Sequence, residues 1–118
     1  KGYFLEPTLL TGITPEMAIY REEVFGPVMS LFPINSAEDA IAMTNDSEFG
    51  LGASIWTKNI ELAEDMAARI ESGFVSINGM VKSDPRLPFG GVKKSGFGRE
   101  LGSYGMKEFV NIKTVVVH

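Results

Sequence analysis

Residues 52–78 read GASIWTKNIELAEDMAARIESGFVSIN, and the order of signals in that stretch decides the fold class. Gly52-Ala53-Ser54-Ile55-Trp56 is an apolar run ahead of the polar Thr57 and Lys58, and it reads as a buried strand. Asn59 can accept a hydrogen bond from the first turn of a helix. Behind it Ile60, Ala63, Met66, Ala67 and Ile70 fall on one stripe of a 3.6-residue period. Gly73 is placed to cap the C-terminal end of that helix. Phe74-Val75-Ser76-Ile77-Asn78 then alternates apolar and polar, as a strand does. A strand, a helix and a second strand in this length form a compact crossover, which makes the two strands parallel.

The same signals extend to both sides. Thr8-Leu9-Leu10 follows Pro7 as a short extended segment, and Val28-Met29-Ser30-Leu31-Phe32 is a strand bounded by Pro27 and Pro33. Ser36, with Asp39 three residues on, opens an amphipathic helix through Ala40, Ile41 and Met43 that Asn45-Asp46-Ser47 stops. From Gly79 to Gly98 the chain has glycines, prolines and no period, and a loop of about 20 residues is more often functional than idle. A short helix around Tyr104–Phe109 precedes a last strand, Asn111 to Val117. The class is α/β, with no internal repeat. Val115-Val116-Val117 is apolar without alternation, so it must pair inside this chain or complete the sheet of a neighbour. The reading inclines to the neighbour.

Composition removes whole chemistries. The chain has 118 residues, enough for one domain and not two. With 44% apolar residues a chain this size can build a core. Eleven Lys and Arg against fifteen Asp and Glu leave a net charge of −4, which argues against a nucleic acid partner. Nothing approaches the roughly 18–20 apolar residues of a membrane span. No cationic, apolar leader marks the chain for export, so a cytoplasmic location is expected. Cysteine is absent and the one histidine is His118, so no thiol nucleophile, Ser–His–Asp triad or His/Cys metal site can be assembled from this chain. Residue 1 is Lys and not Met, which reads as a piece of something longer.

Three segments carry chemistry. In Arg21-Glu22-Glu23-Val24-Phe25-Gly26-Pro27-Val28, an extended backbone sends Glu23 and Phe25 to one face. A carboxylate beside an aromatic ring can hold a sugar diol and pack a heteroaromatic ring. The competing reading is a solvated acidic pair ahead of a core Phe. In Leu87 to Glu100 the glycines Gly96, Gly98 and Gly102 are spaced G-x-G-x-x-x-G with no strand before them, which is not a dinucleotide loop. Ser95 lacks the flanks of a nucleophile elbow. Tight backbone packing is the expected use of these glycines. In Lys82-Ser83-Asp84-Pro85-Arg86 the Ser83 hydroxyl and the Arg86 guanidinium can both donate to an anion, or the segment is a solvated loop tip.

Taken together these stretches are familiar. Glu22 to Val28, Phe49-Gly50-Leu51, Pro88 to Gly96, Gly98-Arg99-Glu100 and Tyr104-Gly105 resemble the C-terminal quarter of the NAD(P)-dependent aldehyde dehydrogenase superfamily. The resemblance runs from Gly2-Tyr3-Phe4 to Lys113-Thr114-Val115. It implies that residues 1–109 are the C-terminal part of a catalytic domain and that 110–118 are an oligomerisation strand joining a partner subunit. It implies NAD or NADP as coenzyme, with Glu23 holding the nicotinamide-ribose hydroxyls and Phe25 helping to place the nicotinamide. Asn78 and the loop after it resemble the wall of the aldehyde pocket. The loop at Ser83-Asp84-Pro85-Arg86-Leu87 is most similar to the succinate-semialdehyde dehydrogenase branch, in which Ser83 would contact the substrate's distal carboxylate. Family chemistry is thiolate attack on the aldehyde, hydride transfer to nicotinamide and hydrolysis of the thioester. Its cysteine and its base lie upstream in that family, so this chain offers no catalytic residue and is expected to be inactive alone. The alternative is a stand-alone self-association or regulatory module with the same fold; the gene upstream of Lys1 separates the two.

Overall fold

The computed structural model describes residues 2–118. They fall into two compact units, residues 2–40 and 41–118. In the first, β1 (Thr8–Leu10) pairs in parallel with β2 (Val28–Ser30), Thr8 opposite Val28 and Leu10 opposite Ser30. The connection contains one helical turn, α1 (Ala18–Arg21), which the apolar pattern does not announce. The expected strand through Phe32 stops at Ser30, although Leu31 N–H still donates to the Leu10 carbonyl at 2.9 Å. Tyr20 meets Phe32 edge-on, with ring centroids 5.7 Å apart.

Helix α2 (Ala37–Asn45) begins where the sequence places it, because Ser36 Oγ accepts the Asp39 N–H at 3.0 Å. In the second unit, β3 (Phe49–Gly50) is followed by the crossover β4 (Ala53–Ile55), α3 (Ile60–Arg69) and β5 (Val75–Ile77). Strands β4 and β5 are parallel, Ala53 opposite Val75 and Ile55 opposite Ile77. Asn59 Oδ1 accepts Leu62 N–H at 3.0 Å and starts α3 as expected. The α/β class is therefore observed, with the stripe residues Ala63 and Ile70 buried along with Ile41.

Two expectations in this region are corrected. Trp56 lies outside β4 and is 67% exposed, so the run from Gly52 is a half-buried strand of three residues and not a buried one of five. Gly73 does not cap α3. The helix ends at Ile70 in extended backbone, and its terminal Arg69 carbonyl accepts Asn45 Nδ2–H at 2.9 Å while Asn45 Oδ1 accepts Glu71 N–H at 2.8 Å. With a side-chain cap from α2, no left-handed glycine is needed. Gly73 instead sits where a Cβ would stand 1.7 Å from the Gly90 carbonyl oxygen.

The segment after Asn78 is more ordered than its lack of period suggests. Within it β6 (Val92–Lys93) pairs antiparallel with β3, and Phe89 bridges Glu100 with backbone bonds of 2.8 and 2.7 Å. Lys93 Nζ donates to the Asn45 and Ser47 carbonyls and pairs with Glu71 at 2.7 Å. Helix α4 (Gly102–Lys107) follows, two residues earlier than expected. The expected last strand does not form within the chain: residues 111–118 carry no ladder, and Ile112, Val115, Val116 and Val117 are exposed. Pairing inside this chain is thereby overturned, since an apolar run with no partner strand has no ladder to join.

Candidate functional site

Each unit carries one of the sequence-derived segments. In the first, α1 ends at Glu22, whose N–H donates to the Ala18 carbonyl at 2.9 Å and whose backbone is extended. Two successive three-residue turns follow, Gly26 N–H to Val24 O at 2.9 Å and Val28 N–H to Gly26 O at 2.8 Å. Thr8 N–H to Pro27 O at 2.8 Å ties this exit to β1. The preceding Arg21 guanidinium stacks 4.8 Å from the Tyr20 ring centroid. Glu23 is exposed, and among the described residues its carboxylate makes no hydrogen bond or ion pair. Phe25 is 94% exposed, so it is not a core residue of this chain. An acceptor-only carboxylate and an open ring two residues apart, on backbone fixed at both ends, suit a vicinal diol attached to a heteroaromatic ring. These residues fit a nicotinamide riboside.

The second segment is launched by Asn78. Its Oδ1 accepts Thr57 N–H at 2.9 Å and its Nδ2 donates to Thr57 O at 2.8 Å, while its own N–H reaches Ile55 O at 2.7 Å. With φ at 53°, it turns the chain out of β5 into the loop. Both ends of its amide are engaged with the Thr57 backbone, so Asn78 braces the start of the loop against the segment after β4.

Ser83 lies exposed in that loop, with no hydrogen-bond partner among the described residues. The next residue closes a tight turn: Leu87 N–H donates to Asp84 O at 2.9 Å, and Arg86 N–H donates to Asp84 Oδ1 at 2.9 Å. Arg86 Nε and Nη2 also donate to the two Asp84 carboxylate oxygens at 2.9 and 2.6 Å. Hydrogen bonding to Arg86 holds the Asp84 carboxyl below its ordinary range, with a smaller push from Lys82, and Asp84 raises Arg86 in return. Of the five guanidinium N–H groups of Arg86, two are thus committed to Asp84, which matches its charge. The far side of the loop is anchored by Gly102 N–H to Pro85 O at 3.0 Å.

Close packing holds for Gly90 and Gly91, whereas the expectation fails at Gly96, which has φ of 138° and nothing within 4 Å of a Cβ position and so serves the backbone conformation instead. A Cβ on Gly91 would stand 2.4 Å from Ser95 Cβ, and one on Gly90 would stand 2.8 Å from the Gly98 carbonyl. Ser95 Oγ accepts Gly50 N–H at 2.9 Å, and Arg99 Nη1 donates to the Gly91 and Gly98 carbonyls at 2.9 and 2.6 Å. Among the described residues no group of His, Cys, Asp and Glu could hold a metal ion, and no helix is long and apolar enough to cross a membrane. The roles of Asn45, Asp84 and Arg99 escape a reading by motif, because each acts on backbone distant in sequence or committed by local geometry.

Comparison with known proteins gives the frame for these segments. Residues 1–115 match the Aldehyde dehydrogenase family. The chain is 57% identical over 114 residues to a probable succinate-semialdehyde dehydrogenase [NADP(+)] of Synechocystis sp., and 54% identical over 114 residues to the succinate semialdehyde dehydrogenase [NAD(P)+] Sad of Escherichia coli. Each match covers 97% of this chain and 25% of the relative. The crystal structure of a succinic semialdehyde dehydrogenase from Streptococcus pyogenes, in complex with NADP+, superposes with a TM-score of 0.93 at 45% identity, over 98% of this chain and 26% of that one. The chain thus spans about a quarter of the length of the relatives it matches.

Proposed function

The chain belongs to the aldehyde dehydrogenase family, and from that premise we propose that it is the C-terminal part of an NAD(P)-dependent enzyme that oxidises succinate semialdehyde to the dicarboxylate. Residues 1–109 complete the catalytic domain, and residues 110–118 form a strand that joins a partner subunit's sheet in a cytoplasmic homo-oligomer. The observation that carries the substrate assignment is the end-to-end match, over 97% of the chain, to relatives named for that aldehyde. The exposed Val115-Val116-Val117 run supports the association role.

Within that enzyme Glu23 accepts hydrogen bonds from the two ribose hydroxyls, and Phe25 packs against the nicotinamide and excludes water from one of its faces. Bound there, NAD(P)+ supplies the two-electron acceptor that aldehyde oxidation requires. Ser83 donates its hydroxyl to the distal carboxylate of the aldehyde, which fixes the reacting end at a set distance from the loop. The glycine-rich hairpin held by Arg99 and Ser95 keeps that loop in place. With no cysteine in 118 residues, the attacking thiolate comes from elsewhere in the full-length parent. Glu23 is a binding group in this scheme and not the base.

The test is NAD(P)H production by the full-length parent with succinate semialdehyde and with a neutral aldehyde of the same chain length. The proposal requires kcat/KM to favour the anionic aldehyde by at least about tenfold, the worth of one charge-assisted hydrogen bond. Equal efficiency with both, or none with either, contradicts it.

A further inference from the structure

Placing a substrate carboxylate at Ser83 raises an electrostatic difficulty that the loop itself resolves. The residue next to Ser83 is Asp84, and consecutive Cα atoms lie only about 3.8 Å apart. Left bare, the carboxylate of this adjacent residue would repel an incoming one and work against the assigned contact. The Asp84 side chain is only 29% exposed, so water screens it incompletely, whereas Arg86 is 85% exposed. The Arg86 guanidinium covers both Asp84 oxygens through parallel bonds of 2.9 and 2.6 Å. Asp84 cannot simply be dispensed with, because its Oδ1 also accepts the Arg86 N–H and closes the turn that presents Ser83. Lys82, on the other side of Ser83, makes no ion pair among the described residues. With Asp84 matched by Arg86, Lys82 stands beside Ser83 as a positive charge with no ion-pair partner among the described residues.

We propose that Arg86 is a specificity-determining positioning residue: it cancels the charge of the turn-forming Asp84, so that the Ser83 loop admits an aldehyde with a distal carboxylate. This inference rests on the Ser83 assignment and adds to it a residue that does not touch the substrate. It divides the labour of the turn. The Asp84 oxygen holds geometry, the Arg86 fork removes repulsion, and Ser83 makes the contact.

The experiment uses the full-length parent and four variants, S83A, R86Q, D84N and D84N/R86Q, each assayed with succinate semialdehyde and with a neutral aldehyde of equal length. R86Q should raise KM for succinate semialdehyde about tenfold, leave kcat within about twofold, and leave KM for the neutral aldehyde unchanged. Raising ionic strength should shrink that KM penalty, as screening demands and a packing defect does not. D84N keeps the Oδ1 acceptor for the turn and removes the charge, so the penalty of R86Q should vanish in D84N/R86Q. Persistence of the full penalty in the double variant overturns the proposal, since it would mean that Arg86 binds substrate directly. An equal loss on both aldehydes overturns it too, by making Arg86 merely structural. S83A tests the underlying assignment separately: it should lose selectivity for the anionic aldehyde whatever R86Q does. Selective loss in S83A with no effect of R86Q refutes the Arg86 role and leaves Ser83 standing.

Discussion

Replacing Gly73 by alanine separates two accounts of the same glycine by a margin that is easily measured. The added methyl would stand 1.7 Å from the Gly90 oxygen, 2.7 Å from its carbonyl carbon and 3.1 Å from Gly91 Cα. Relaxed contacts of this kind lie at about 3.5–4.0 Å, so two stretches of backbone must part by roughly 2 Å. Neither yields freely. Gly73 N–H is bonded to Gly50 O at 3.0 Å, and the neighbouring Phe74 O accepts Ala53 N–H at 2.9 Å, tying β5 to β4. Overpacking costs about 1–3 kcal/mol when side chains can adjust and more when backbone must move. A ruptured backbone hydrogen bond adds about 1 kcal/mol, for a total near 3–4 kcal/mol. At about 2–4 °C per kcal/mol, Gly73→Ala should melt roughly 6–15 °C below the native protein. A helix-capping glycine would lose only about 1 kcal/mol, or a few degrees. Gly12→Ala is the internal control, because Gly12 has φ of 68° but nothing within 4 Å of its Cβ position. It should lose only about 1 kcal/mol. The assay is a thermal melt of both variants in the full-length parent at one scan rate. A Gly73→Ala midpoint no lower than that of Gly12→Ala refutes the close-approach reasoning.

Asn78→Ala removes two hydrogen bonds to Thr57 and places alanine at φ of 53°; it should cost about 2–3 kcal/mol in the same melt. Asn78→Gly should recover about 1 kcal/mol of that by relieving the backbone, and equal losses from both would show that φ contributes nothing. Asp84 should titrate below the ordinary carboxylate value of about 3.9, because Arg86 donates to it. A depressed folded value means that the stabilisation is present above the unfolded pKa and fades as pH falls through the folded one. Carboxyl carbon NMR of the native protein and of R86Q reads this directly, and a midpoint unmoved by R86Q contradicts it. Glu23→Gln, if Glu23 holds the ribose diol, should raise KM for NAD(P)+ about tenfold in the full-length parent and leave KM for the aldehyde within about twofold; an aldehyde-specific effect would place Glu23 elsewhere.

What the sequence reveals and conceals here follows the range of the interactions involved. Ser36 and Asn59 are legible as helix starts because each satisfies a backbone N–H only three residues away. The β4–α3–β5 crossover is legible because its period and length leave one handed arrangement. The end of α3 is not, since the group that satisfies it, Asn45, comes from another helix and displaces the glycine that local chemistry nominates. Strands β3 and β6 escape because two residues each give no pattern, and their pairing joins Phe49 to Lys93 across the chain. The candidate segments are legible by residue type, Glu23 with Phe25 and Ser83 with Arg86. The engagement of Arg86 with Asp84 is a matter of rotamer and turn geometry that spacing alone leaves open.

The central claim is that this chain presents a coenzyme-binding face and a substrate-binding loop and relies on another part of the enzyme for its nucleophile. Incubating the isolated 118-residue chain with succinate semialdehyde and NAD(P)+, and following nicotinamide reduction by absorbance beside the full-length parent, tests that division most directly. The account requires turnover by the parent and none by the isolated chain. Sustained reduction by the isolated chain, which has no thiol to attack the aldehyde, would contradict it.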